Sequence, residues 1–236
     1  MKIFDCHTHI EDGLDKYDLS GVSAHNIIFN SVSSYKANRT KTPAGCSISL
    51  IFDCFNNLDF VLNELRSKKI NALKIHSREQ HISENMYPVI EEKLLFTDDS
   101  VPVIIDAFYY GHELKYQPSL PAIINLAVKY PNRSFIIAHC GGYEIVKYFF
   151  HLRKLPNIYY DLSFSLQYLS DSSLQTDLIK LIRHTDKKKI MFGSDFPWAS
   201  PSFQYNVMKD IFSALNSSAS EQEDILYNNA LSIFRN

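Results

Sequence analysis

Eight short apolar runs, separated by stretches of helical character, constrain this chain more than any other feature. The runs cover residues 2–6, 26–32, 46–52, 72–75, 101–105, 134–138, 158–162 and 190–192. They are rich in Ile, Val and Phe, the composition of strands covered on both faces. Amphipathic segments at 58–68, 121–129, 143–152, 172–183 and 202–215 lie between most of them. The second of these carries Pro121 in its first turn, where proline suits a helix. Ser220 with Glu223 reads as a capping box that opens a last helix ending at Phe234. The polar link 33–45 reads as lacking a helix. Strands that alternate with helices call for a parallel sheet, and eight is the number that closes one. The expected fold is therefore α/β, a (β/α)8 TIM-type barrel. It should be compact or slightly distorted, since 236 residues fall short of the typical length of about 250. Without a repeat or an evident linker, residues 1–236 read as a single domain.

Charge and cysteine usage narrow the class further. The formal net charge is −2, and the longest cationic run, Lys187-Lys188-Lys189, reads as a solvated loop, so nucleic acid is not an indicated partner. The four cysteines, Cys6, Cys46, Cys54 and Cys140, form no close CxxC pair, and three sit within or beside apolar runs. They read as reduced thiols of a cytoplasmic protein. The N-terminus enters a strand with no apolar signal core, and no run reaches the roughly 18 residues needed to span a bilayer.

The chemistry collects at strand ends. In Asp5-Cys6-His7-Thr8-His9 the two histidines share parity, so both side chains face one side. They lie just past the apolar part of the first strand, at the end where barrel enzymes build their sites. Two imidazoles projecting together suit a divalent metal, although an isolated HxH is also found as two polar loop residues. Other strands are polar at the same level: Lys74 and His76, Asp106, His139 followed by two glycines, Asp161, and Asp195. Any one of these alone reads as a cap or a loop residue. Six strand ends with His, Asp or Lys at one height read as a convergent site. His25, His81, His151 and His184 fall outside the pattern and read as structural or surface residues.

These segments resemble the amidohydrolase superfamily, in the amidohydrolase-related branch that includes aminocarboxymuconate semialdehyde decarboxylase-like proteins. The matching stretches are 5–9, 73–76, 138–142, 160–163, 193–198 and 229–234, in the family's order, with Gly193-Ser194-Asp195-Phe196-Pro197-Trp198 the most specific. The resemblance implies a divalent metal, zinc first and manganese second, held by His7, His9 and Asp195. Asp195 would also take the proton of an attacking water, and His139 would stand beside the metal as a catalytic group. A bound ion lowers the pKa of water toward about 7, and a nearby carboxylate can accept the proton.

One departure matters. The family's fifth strand ends in a metal-binding histidine, whereas here the segment Pro102-Val103-Ile104-Ile105 ends in Asp106. Two readings follow: Asp106 replaces the imidazole as a ligand, or the metal site is weakened. His112, six residues on, is a less favoured substitute. In some related barrels the fourth-strand lysine is carboxylated and bridges two metals. Lys74 is read instead as an ammonium that pairs with a carboxylate or a substrate anion. His76 and Trp198 complete the expected substrate-binding set.

The leading function is hydrolysis of a C–N or C–O bond in a small molecule by a metal-activated water. The alternatives are a metal-dependent non-oxidative decarboxylase on the same scaffold and a degenerate barrel that binds a ligand without turnover. A phosphoesterase with paired histidines does not fit the Gly-Ser-Asp-Phe-Pro-Trp segment. Substrate identity and the option of a homo-oligomer are left open by the sequence.

Overall fold

The structure, a computed structural model, describes residues 2–10 and 16–235. Among these residues eight strands stand side by side in sequence order: β1 (Ile3–Thr8), β2 (Val22–Phe29), β3 (Ser47–Ile51), β4 (Ala72–Ile75), β5 (Val103–Asp106), β6 (Phe135–Ala138), β7 (Ile158–Asp161) and β8 (Ile190–Met191). Every neighbouring pair is parallel. Backbone hydrogen bonds draw β8 and the segment after it onto β1: Cys6 N–H to Phe192 O (3.1 Å), Asp195 N–H to His7 O (2.8 Å) and His9 N–H to Phe196 O (2.8 Å). The expected barrel is present. No helix among the described residues is long and apolar enough to cross a membrane.

Period-two alternation divides the barrel interior into two layers. Phe4, Cys6, Ala24, Ile28, Ala72, Ile104, Ile136 and Met191 form one apolar cluster, which the terminal helix Asn229–Phe234 covers with Ala230, Ile233 and Phe234. Two residues further along the same strand faces the chain turns polar, with Lys74 after Ala72 and Asp106 after Ile104. On β4 and β5 the apolar lower layer thus leaves the polar residues at the C-terminal mouth, while β2 and β3 also bury Asn26 and Ser49 lower down, where the Ser49 hydroxyl donates to Asn26 Oδ1.

Strand β1 departs from strict alternation. Asp5 pairs with His25 and Thr8 with Ile27, three steps on one strand against two on the other. An extra residue of this kind re-aims the side chains that follow it. Phe4 and Cys6 stay in the apolar cluster, and beyond the shift His7 and His9 take the inward positions.

Several sequence expectations need correction. The link 33–45 is not without a helix: Val32–Asn38 is helical, capped by the Ser31 hydroxyl on the Ser34 amide, and buries Val32 and Tyr35. The capping box is Ser218 with Glu221, two residues before the expected pair, because both reciprocal bonds form there. A helix not anticipated from the sequence, Tyr87–Leu94, buries Tyr87, Ile90 and Leu94 and carries Pro88 in its first turn. The helix expected from residue 143 begins at Ile145, since Cys140, Gly141 and Gly142 all have positive φ.

Candidate metal centre

His7, His9 and Asp195 each offer a ligand atom within 4.8 Å of the others, and all three are buried. The tautomers are set from behind. His9 Nδ1 lies 2.8 Å from the Ile28 carbonyl, which can only accept, so the proton is on Nδ1 and the Nε2 lone pair faces the cavity. His7 Nδ1 likewise meets Asp161 Oδ2 at 2.5 Å. Both Nε2 atoms then lie 3.4 Å from Asp195 Oδ1. A tetrahedral zinc ion about 2.0–2.1 Å from each donor would separate two donors by about 3.3–3.4 Å. The donor set therefore fits a divalent ion with a position left open, the pattern of catalytic sites.

Electrostatics agree with that use. Burial, with the nearby Lys74 ammonium, holds His7 well below the usual histidine range, in the neutral form that ligates metal. Burial works against an ionised Asp195, yet the positive charge of His139 helps bring it down to about 2. Lys74 Nζ stands 3.2 Å from His7 Nε2, donating to the lone pair that an ion would use. An ammonium and a dication repel at that range, so Lys74 and an ion would compete for that lone pair.

One carboxylate aligns the two ligand-bearing strands. Asp5 Oδ1 accepts from the His7 amide (3.2 Å) and the Ser194 amide (2.8 Å). Its Oδ2 accepts from the hydroxyls of Ser194 (2.5 Å) and Tyr17 (2.6 Å). Gly193 is required at the crossing of β7, β8 and β1, because a Cβ there would come 2.6 Å from Asp161 Oδ1 and 3.0 Å from His7 Cβ. His139, Phe164 and Asp195 all adopt positive φ. Such backbone costs about 1–3 kcal/mol per residue and clusters where function demands it.

A second cluster stands beside the first. Asp106 Oδ2 faces His139 Nε2 (3.2 Å) and His76 Nε2 (3.6 Å), and Asp106 Oδ1 accepts from Arg78 Nη2 (3.2 Å). The structure thus places Asp106 among His76, Arg78 and His139 and outside the three-residue donor group. Burial would raise Asp106, but the hydrogen bond and charge of His139, with the charge of Lys74, hold it well below the carboxylate range. Burial would lower His139, and the hydrogen bond to Asp106 with the charge of Asp195 reverses this, to about 9. His139 is therefore protonated at neutral pH, with Nδ1–H donating to Ser163 O at 3.0 Å. His76 goes the other way, to about 3, because burial and the Lys74 charge outweigh Asp106.

Both clusters open on one cavity of about 450 Å³. Lys74, His76, Trp198, Asp106, His139, His9 and Asp195 all line it, so the expected site residues converge there, with His7 just behind. Phe108, Tyr110, Phe164 and Tyr168 supply an aromatic wall, and Trp198 is 69% exposed at the mouth. His112 is exposed and does not line it. A larger neighbouring cavity, about 720 Å³, shares Asn30 and Glu79 with this one but holds no metal-type donor cluster among the described residues. Volume alone does not make it the reactive centre. Arg78 was not among the residues expected from the sequence. It continues the parity of Ala72, Lys74 and His76, and that extension past the strand end was the signal.

A family model described as amidohydrolase matches residues 76–235. No curated protein matches the sequence. Among solved structures, an uncharacterised TIM-barrel protein from Bordetella bronchiseptica is similar at TM-score 0.72 and 12% identity, covering 100% of this chain and 99% of that one. A probable 2-pyrone-4,6-dicarboxylic acid hydrolase from Acinetobacter baumannii matches at 0.65 and 13%, covering 100% of both chains. The 5-carboxyvanillate decarboxylase of Sphingomonas paucimobilis matches at 0.61 and 10%, covering 99% of both. At these identities the three likenesses speak for the fold alone. The family match takes in four of the strands, β5 to β8, and with them His139 and Asp195, and on it the chain belongs to the amidohydrolase family.

Proposed function

We propose that this protein is a metal-dependent hydrolase acting on a C–N or C–O bond of a small molecule, with zinc the first choice of metal and manganese the second. The observation that carries the reading is the convergence of His7 Nε2 and His9 Nε2 on Asp195 Oδ1, 3.4 Å from each. A divalent ion held there would supply Lewis acidity, lowering the pKa of a water toward about 7 and polarising a substrate carbonyl. The remaining roles belong to side chains. Asp195 is ionised at neutral pH and accepts the proton of the attacking water. His139 is protonated and lines the same cavity, so it donates to the oxygen on which charge develops or to the leaving group. Asp106 keeps His139 in its acid form. Phe108, Phe164 and Tyr168 exclude water from the reacting face.

A second reading, non-oxidative decarboxylation, has one specific observation in its favour. His139 lines the cavity with its Nε2 3.2 Å from Asp106 Oδ2, so as an imidazolium it is placed to hand a proton to the carbon from which CO2 departs. Zinc-loaded protein assayed on small lactones, cyclic amides and aromatic acids separates them: uptake of one water supports hydrolysis, and release of CO2 supports decarboxylation. Turnover should be lost in His7→Ala and in Asp195→Asn while the circular-dichroism spectrum is kept. Full activity in either variant would remove the basis of the assignment.

A further inference from the structure

Lys74 is a buried cation whose hydrogen-bond partner is an atom that the metal also needs. It lines the cavity and is 2% exposed. Among the described residues its Nζ has a single hydrogen-bond acceptor, His7 Nε2 at 3.2 Å, and no carboxylate within ion-pair distance. The backbone cannot withdraw. Lys74 pairs with Ile51 on β3 and Ile104 on β5, and its carbonyl accepts from the Phe52 amide. Only the side chain can move, and the space open to it is the cavity. A divalent ion on His7 Nε2 therefore strips the ammonium of its acceptor and sets a like charge beside it. A buried cation left without a partner is strongly destabilising. The surrounding charge points the same way. Three cations, Lys74, Arg78 and His139, stand among four buried carboxylates, Asp5, Asp106, Asp161 and Asp195. Glu79 is exposed at the mouth and screened by solvent. A divalent ion would turn a slight negative excess into one positive charge too many, where charge is poorly screened.

We propose that the metal and a small monoanion occupy this site as a pair, and that Lys74 is the residue that couples them. This rests on the reading above that His7, His9 and Asp195 hold the metal. Without the anion, Lys74 holds the His7 lone pair and resists the ion. With it, the ammonium gains an acceptor inside the cavity and the lone pair is released. The cavity supplies a second cationic donor for the anion, since His139 lines it. One negative charge balances the loaded site, and a dianion would overshoot it. The linkage is reciprocal: whatever factor the anion adds to metal affinity, the metal adds to anion affinity.

Zinc affinity, read by competition with a chromophoric chelator in CO2-free buffer, tests this with formate as the anion and formamide as its neutral match. Sodium perchlorate holds the ionic strength constant. Saturating formate should tighten zinc binding by the wild type at least about tenfold, and formamide should leave it within about twofold. Zinc should tighten formate binding by the same factor, a measurement on the wild type that needs no variant. Lys74→Met should bind zinc at least about tenfold more tightly than the wild type when formate is absent, and formate should then change its affinity by no more than about twofold. Equal zinc affinity of the wild type with and without formate overturns the proposal. So does an undiminished formate effect in Lys74→Met, or zinc binding by that variant no tighter than by the wild type. Bicarbonate that tightens zinc binding where formate does not overturns it too, because that pattern assigns a carbamate to Lys74. Failure of zinc to bind under every condition, Lys74→Met included, removes the metal reading and this proposal with it, an outcome distinct from zinc binding that ignores formate.

Discussion

Replacing Asp161 by Asn perturbs the metal centre without touching a ligand. Asn keeps the shape of the side chain and its reach to His7 Nδ1, now 2.5 Å away, but removes the charge behind the ring. A carboxylate behind a ligating histidine raises the basicity of the metal-facing nitrogen, and losing it costs 10- to 100-fold in metal affinity, about 1.4–2.7 kcal/mol. Stability of the metal-free protein should respond differently. Burial pushes the Asp161 carboxyl up, so its ionised form is less favourable in the folded chain than in water. Removing that charge relieves desolvation at the same time as it weakens the His7 contact, and the net change should stay below about 1 kcal/mol. Competition against a chromophoric chelator measures zinc affinity, and urea unfolding of chelator-treated protein measures stability. Wild-type zinc affinity in Asp161→Asn would refute the argument that Asp161 tunes His7.

Other outcomes follow from the same geometry. Asp5→Ala strips the acceptor from the amides of His7 and Ser194 and the hydroxyls of Ser194 and Tyr17, and should cost at least about 3 kcal/mol in urea unfolding. Gly193→Ala should lower both stability, by about 1–3 kcal/mol, and zinc affinity, because the added Cβ meets Asp161 and His7. For metal-free protein, the urea midpoint should peak near pH 6.5. His139 is raised from 6.5 to about 9, so its contribution, on the order of 3 kcal/mol, is complete below 6.5 and is lost as pH rises through 9. His76 is lowered to about 3, so the unfolded chain takes up a proton that the folded one refuses, and stability also falls from pH 6.5 downward. A midpoint that keeps rising from pH 6.5 to 9 would contradict the His139–Asp106 pairing.

The sequence made the barrel legible because interior strands announce themselves as apolar runs whose polar residues start at one height. Ala72 then Lys74, and Ile104 then Asp106, show that alternation directly. The convergence of His7, His9, His139 and Asp195 on one cavity was readable for the same reason. Three things were not. The register shift between Asp5 and Thr8 is a pairing property of two strands, and no local pattern in β1 encodes it. The setting of Asp106 depends on Arg78 and on the histidines of two other strands, which sequence separation hides. The Val32–Asn38 helix has only two buried side chains, too few for its periodicity to stand out from a polar loop.

An anomalous-difference map at the zinc edge, from a crystal of zinc-loaded protein, tests the central claim most directly. The account predicts one strong peak about 2.0–2.2 Å from His7 Nε2, His9 Nε2 and Asp195 Oδ1, with Asp106 still bonded to Arg78 and His139. No peak at those three residues, or a peak held by Asp106 and His76 instead, would contradict it.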